Sequence, residues 1–236
     1  MPGFVLVMRR GTRYPAGMTI PRPALCLITD DAKRTPDELA AIVCDALAGG
    51  VTMVQFRERS LDPSDAARAI APLAAACRAA GVPLMINGAV CARLTTPVQA
   101  DGVHLQKGTL PMAAQLCARI RPTEGCRPLL GYSAHGMDDL AGAIAAGIDL
   151  ATIGPVYATP SKEGILAPTG PGILRACGEA FPGFPVLALG GVDASRAGGC
   201  VAAGAAGVAV IRAIMAAPRP REAAHALMAA MTAAAG

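Results

Sequence analysis

The stretch IAAGIDLATIG, residues 144–154, decides how the chain folds. Small residues run up to Gly147, and a short apolar segment rich in β-branched side chains follows at once. Glycine takes the left-handed conformation that closes a helix. An apolar run without alternation suits a strand covered on both faces. The stretch therefore reads as a helix end that delivers the chain into a buried parallel strand.

The same phrase recurs as ALAGGVTMVQF (46–56), CRAAGVPLMIN (77–87), VQADGVHLQ (98–106) and VAAGAAGVAVI (201–211). Working outward from these repeats, the pattern predicts eight strands over 24–29, 51–56, 83–87, 102–105, 128–132, 150–154, 185–189 and 206–210. Helices are predicted between and after them over 36–48, 63–80, 111–120, 137–146, 169–179, 193–202 and 221–234. Strict alternation of strand and helix implies a parallel sheet. Eight such units make an α/β fold, a single (β/α)8 TIM barrel over 23–236, with residues 1–22 as a short N-terminal arm. An open doubly wound sheet would lead its first strand into a phosphate-binding glycine fingerprint, and LCLITDDAKRT (25–35) has none.

Composition narrows the function classes. Hydrophobic residues make up 53% of the chain and charged residues 16%, the make-up of a tightly packed domain. The net charge of +4 is spread without a basic block, and three Tyr, four Phe and no Trp give no platform for stacking bases. Nucleic acid is not an expected partner. No apolar run approaches the ~20 residues that span a bilayer, and the start of the chain lacks a secretory h-region. Eight cysteines without a CxxC pair sit in apolar segments and read as reduced core thiols of a cytoplasmic protein. The apolar surplus leaves room for a homo-oligomer.

In such a barrel the loops after the strands form the active-site face. After strand 2, Gln55, Arg57 and Arg59 alternate in VQFRERS, which directs all three to one side of the strand. Two inward arginines imply an anionic partner. Asn87 follows strand 3, and Ser133 and His135 follow strand 5 within GYSAH. Thr159, Ser161 and Lys162 lie on the proline-containing loop after strand 6, a mix suited to a phosphate or carboxylate. Gly190 and Gly191 follow strand 7, and Ile211 and Arg212 follow strand 8, the two loops that commonly bind phosphate in barrels. The expected ligand is a small anionic phosphorylated molecule. His104 either lines the mouth or packs within strand 4, and His225 belongs to a helix surface.

Taken in order, LITD, VQFRER, MING, DGVHL, GYSAH, IGPVYATPSK, LALGGV and AGVAVIRAI resemble the thiamine phosphate synthase and thiazole tautomerase family of barrels. The resemblance spans roughly residues 24–216. It implies a thiazole phosphate ligand. In the synthases that ligand is joined to a pyrimidine pyrophosphate, with magnesium held by two acidic residues. This chain has Gly88 directly after Asn87 and QKGTL (106–110) in the strand 4 loop, so both acids are missing. Arg59 stands where the family has Lys, and Arg212 where it commonly has Ser. These departures resemble the tautomerase branch, which needs no cofactor and uses a histidine at the His135 position as acid and base. An ordinary imidazole, with a pKa of about 6.5, can take and return a proton near neutrality.

The expectation is therefore a thiazole tautomerase. Its phosphate would lie at Gly190, Gly191, Ile211 and Arg212, and its carboxylate at the strand 6 loop or the arginine row. The alternatives are a magnesium-using thiamine phosphate synthase and a non-catalytic binder of thiamine-related phosphates.

Overall fold

The computed structural model describes residues 20–30, 34–159 and 167–236. Eight parallel strands close into a barrel: β1 Ala24–Ile28, β2 Met53–Phe56, β3 Leu84–Asn87, β4 Gly102–Leu105, β5 Leu129–Ala134, β6 Leu150–Ile153, β7 Val186–Leu189 and β8 Gly207–Val210. Each strand pairs with its sequence neighbours, and β8 returns to pair with β1. The barrel expected from the sequence is the observed one. Of the expected arm, residues 1–19 lie outside the described residues, while Ile20 packs against the base of the barrel interior. Among the described residues no helix is long and apolar enough to cross a membrane.

Local chemistry sets the helix boundaries. In α1 (Pro36–Ala48), Thr35 accepts from the Glu38 amide while the Glu38 carboxylate accepts from the Thr35 amide, and Pro36 fills the first turn. Asp62 caps α2 (Pro63–Ala80), which Gly81 closes at φ 66°. The short α3 (Gly88–Cys91) and α4 (Ala113–Cys117) are followed by α5 (Met137–Ala145), α6 (Gly172–Ala180), α7 (Ala194–Ala202), α8 (Arg212–Met215) and α9 (Pro220–Ala235).

Two stretches depart from the sequence expectation. The helix predicted over 111–120 shrinks to a 3-10 turn at Leu110–Met112 plus α4. Ile120 instead joins Val98 in a two-stranded parallel ribbon, Val98–Gln99 with Ile120–Arg121, which buries both apolar side chains outside the barrel. β5 also runs on to Ala134, so Ser133 belongs to the strand and not to the loop.

Alternation along each strand sorts the side chains into two cores. Leu25, Leu27, Val54, Phe56, Leu84, Ile86, Val103 and Leu105 face the helices. Ala24, Cys26, Met53, Met85, Leu129, Leu150, Leu187 and Ala209 fill the barrel axis. The cysteines fit this picture, since all eight are free and five are buried. Burial pushes the thiols of Cys26 and Cys77 up to about 12, so they remain protonated.

The seam that closes the barrel depends on one glycine. Gly207 pairs with Ala24 at φ 157°, and a Cβ there would overlap the Ala24 carbonyl oxygen and crowd its amide. Gly207→Ala should destabilise the fold by roughly 3 kcal/mol, the upper end for overpacking, as measured by denaturant unfolding.

Candidate active site

Above the apolar base, the inward positions divide around the barrel. Gln55 on β2, Asn87 on β3, His104 on β4, Ser133 on β5 and Thr152 on β6 share the inward parity of Met53, Met85, Leu129 and Leu150. Ile28, Leu189 and Ile211 occupy the remaining side and pack on the apolar base. The upper interior is thus a polar arc over five adjacent strands, facing an apolar arc over three. Gln55 is only 2% exposed, and its Nε2 has no hydrogen-bond partner among the described residues. A buried amide donor left open in this way is suited to a ligand acceptor.

The arginine row only partly follows its predicted direction. β2 ends at Phe56, so strict alternation stops after Gln55. Thr29 joins the ends of β1 and β2: its amide donates to the Gln55 carbonyl at 2.9 Å, and its hydroxyl accepts from the Arg57 amide at 2.9 Å. Arg57 leaves the strand half-buried, and Arg59 stands exposed in the loop beyond.

Ser133 and His135 leave β5 in different ways. Ser133 remains in the strand, half-buried, with its Oγ 3.1 Å from His104 Nε2. His135 is exposed past the strand end, and its Nδ1 lies 3.0 Å from the Gly154 carbonyl oxygen. A carbonyl oxygen only accepts, so the neutral ring has its proton on Nδ1 and its lone pair on Nε2. Asp139 holds this turn by accepting from the His135 amide at 3.0 Å and from the Tyr132 hydroxyl at 2.7 Å. Burial and the Asp139 hydrogen bond together raise the Tyr132 phenol to about 12.

Loops 6, 7 and 8 are stitched to one another. The amides of Val156 and Tyr157 donate to the carbonyls of Leu189 and Gly190 at 2.9 and 3.0 Å. Gly190 and Gly191 have φ of 97° and 63°, and a Cβ on either would press into Pro155 or the Ala158 carbonyl. The glycine pair therefore has a structural reason of its own. Arg212 reaches across to donate from Nη2 to Thr159 Oγ1 at 3.3 Å. Ser161 and Lys162 lie outside the described residues.

Gly88 and Thr109, the two positions where the family resemblance implies acids, face each other. A Cβ on Gly88 would lie 3.2 Å from Thr109 Oγ1. The Thr109 hydroxyl closes its own turn, accepting from the Gln106 amide at 2.8 Å and donating to the Gln106 carbonyl at 2.9 Å. Nothing anionic stands at either position. Among the described residues no group of three or more His, Cys, Asp and Glu could hold a metal ion.

Two members of the site, Thr152 and Asp139, escape the sequence reading, and His104, left open between the mouth and the strand interior, turns inward. Strand parity could have found Thr152 and settled His104, since they are two residues beyond Leu150 and Gly102. Asp139 carried only the generic signal of an acid in a first helical turn. Asp101 sits at the opposite end of the barrel, accepting from the Leu84 amide and the Thr123 hydroxyl. It helps line a separate groove of about 130 Å³ with Arg78, Gln99 and Arg121.

The profile of the thiamine monophosphate synthase family matches residues 25–214. A thiamine-phosphate synthase of Geobacillus kaustophilus is 40% identical over 198 residues, covering 83% of this chain and 86% of that protein. A putative thiamine-phosphate synthase of Geobacter sulfurreducens is 43% identical over 210 residues, covering 87% and 93%. A thiamine phosphate pyrophosphorylase structure from Pyrococcus furiosus superposes with a TM-score of 0.74 at 24% identity, covering 91% of this chain and 98% of that one, which speaks to the fold. None of these relatives supports the tautomerase branch expected from the sequence; both sequence relatives are named as synthases.

Burial lowers the His104 pKa from 6.5 to about 4, so the folded protein keeps this ring neutral. The unfolded chain takes up the proton first as pH falls. The contribution to stability is complete above pH 6.5, is lost between 6.5 and about 4, and is constant below that. Wild type should lose roughly 3 kcal/mol from this source across that interval, and His104→Gln should lack that component of the slope in unfolding titrations.

Proposed function

This chain belongs to the thiamine monophosphate synthase family, barrel enzymes of thiamine biosynthesis, and from that premise we propose that it is a thiamine-phosphate synthase. The proposed reaction joins a thiazole phosphate to hydroxymethylpyrimidine pyrophosphate. The ring nitrogen of the thiazole supplies the electron pair of a new C–N bond at the pyrimidine methylene carbon. The C–O bond to the pyrophosphate breaks, and pyrophosphate leaves with that bonding pair. No proton transfer is needed.

The observation that carries this reading is the match to synthases at 40 and 43% identity over most of both chains. The division of the mouth agrees with it. A polar arc with an open Gln55 amide suits the hydrogen-bonding edge of a pyrimidine, with Asn87 on the adjacent strand and Ser133 further round the arc. Arg57 and Arg59 at the end of β2 would receive the negative charge that develops on the leaving pyrophosphate. Gly190, Gly191, Ile211 and Arg212 would hold the thiazole phosphate, and Thr159, Ser161 and Lys162 would supply further donors to the anionic substrates.

The residues present do not fit a magnesium ion held by a carboxylate pair on loops 3 and 4. Gly88 offers no ligand, and the Thr109 hydroxyl is committed to its own turn.

A second reading is favoured by that same pair of positions. In that reading, a thiazole tautomerase, the acids are not needed, and His135, whose Nδ1 lies 3.0 Å from the Gly154 carbonyl oxygen, would act through its other ring nitrogen. In this reaction the ring would move a proton between the thiazole ring and its exocyclic carbon.

The two readings separate in one set of assays. With both synthase substrates, the transferase reading expects thiamine phosphate and pyrophosphate in equal amounts. It also expects Arg59→Ala to lower kcat/KM by about a hundredfold, the usual scale for removing a group that stabilises developing charge. His135→Asn should cost it only a few-fold. Absence of thiamine phosphate, together with isomerisation of carboxythiazole phosphate that His135→Asn abolishes, would establish the tautomerase instead.

A further inference from the structure

His104 is an unexpected occupant of its position. It lies 2% exposed inside the barrel, next to Met85, one step above an apolar layer. An apolar side chain there would avoid the desolvation cost of an imidazole. The backbone has also been fitted to this ring. Residue 131 on β5 is glycine, and a Cβ there would overlap His104 Nδ1 and press on the Met85 methyl at 3.1 Å.

The ring's two polar neighbours both stand at Nε2. Ser133 Oγ is 3.1 Å away and Thr152 Oγ1 is 3.5 Å away. The two hydroxyls are 3.4 Å apart, with Thr152 donating to Ser133. Strands β4, β5 and β6 thus contribute one corner each to a closed triangle. His104 and Thr152 are sealed, whereas Ser133 is half-buried and is the corner that meets the mouth.

Hydrogen-bond accounting gives the triangle a direction. A hydroxyl has one proton to donate and two lone pairs to accept with. A buried N–H without an acceptor is rarer than an unsatisfied lone pair, which puts the proton of the neutral ring on Nε2, beside two oxygens. The Nε2–H then donates to Ser133 Oγ, and the Thr152 hydroxyl fills the second lone pair. Both acceptor sites of Ser133 are occupied. Its own proton has no place left inside the triangle.

We propose that His104 is a positioning residue which, with Thr152, fixes Ser133 as a one-way hydrogen-bond donor into the mouth, aimed at an acceptor atom of the bound substrate. This rests on the mouth being the substrate site, but not on which of the two reactions occurs there. Without the ring, the Ser133 hydroxyl would turn freely and donate inward to whichever oxygen is nearest. Burial keeps the ring neutral well below neutrality, so the direction does not reverse with ordinary changes in pH.

The test is a double-mutant cycle on Ser133→Ala and His104→Leu, with His104→Gln as the conservative rescue. Leucine fills similar space without an N–H, while the glutamine amide nitrogen can stand near the former Nε2. The expected results are a loss of about tenfold in kcat/KM for His104→Leu, the scale of one hydrogen bond, and recovery to within a few-fold for His104→Gln. In the Ser133→Ala background, His104→Leu should cause almost no further loss, because it acts through the serine. Equal losses in both backgrounds, or no rescue by glutamine, would mean that the ring only supports packing. If His104→Leu does not fold, Thr152→Val takes its place in the same cycle with the same two outcomes. If wild type turns over neither substrate set, calorimetric affinity for thiazole phosphate replaces kcat/KM. A failed activity assignment and a failed positioning role are then told apart.

Discussion

Everything in this molecule depends on the alternation of side chains along strands that close on themselves. A parallel strand in a barrel has no solvated face, so each residue points either at the helices or at the axis. The axis is a shared volume. Met53, Met85, Leu129, Leu150 and Leu187 fill its lower part at the cost of excluding anything else. The same parity carries Gln55, Asn87 and Thr152 inward two residues further along and Ser133 four residues beyond Leu129, past Gly131, together with His104. The site is thus the continuation of the core pattern with polar residues substituted. Its base is as rigid as the packing beneath it.

That origin explains which parts could be read from the chain. The recurring Ala-Gly and Asp-Gly closures marked the strand starts to within about two residues. These signals are local: a glycine after a run of small residues ends a helix whatever surrounds it. The ribbon of Val98–Gln99 with Ile120–Arg121 was invisible because it depends on two segments meeting, and neither carries a strand signal alone. It was this pairing that shortened the helix expected over 111–120. The extra length of β5 mattered more, since it moved Ser133 from a loop into the wall of the site.

The candidate residues were legible in proportion to how local their reasons were. Glycines 190 and 191 were read as a phosphate-binding pair; the structure gives them a reason of their own in positive φ and close contacts to Pro155, Tyr157 and Ala158. The direction of Arg59 could not be read, because alternation holds only while the strand lasts and β2 stops at Phe56. His104 was ambiguous in DGVHLQ for a different reason. Its meaning lies in Ser133, Thr152 and Gly131, which are 27 to 48 residues away in the chain and come close only when β4, β5 and β6 pair.

The missing acids also have a simpler electrostatic meaning than the loss of a function. A divalent cation held by two carboxylates brings no net charge to the mouth. Replacing all three by Gly88 and a self-satisfied Thr109 therefore leaves the local charge balance unchanged to first order. Arg212 adds a positive charge next to Thr159. On the proposed reading, attraction for phosphorylated ligands would come from guanidinium groups, whose forked donors match phosphate oxygens, and not from an exchangeable ion. Such a mouth favours ligands whose phosphate oxygens match the arginine forks.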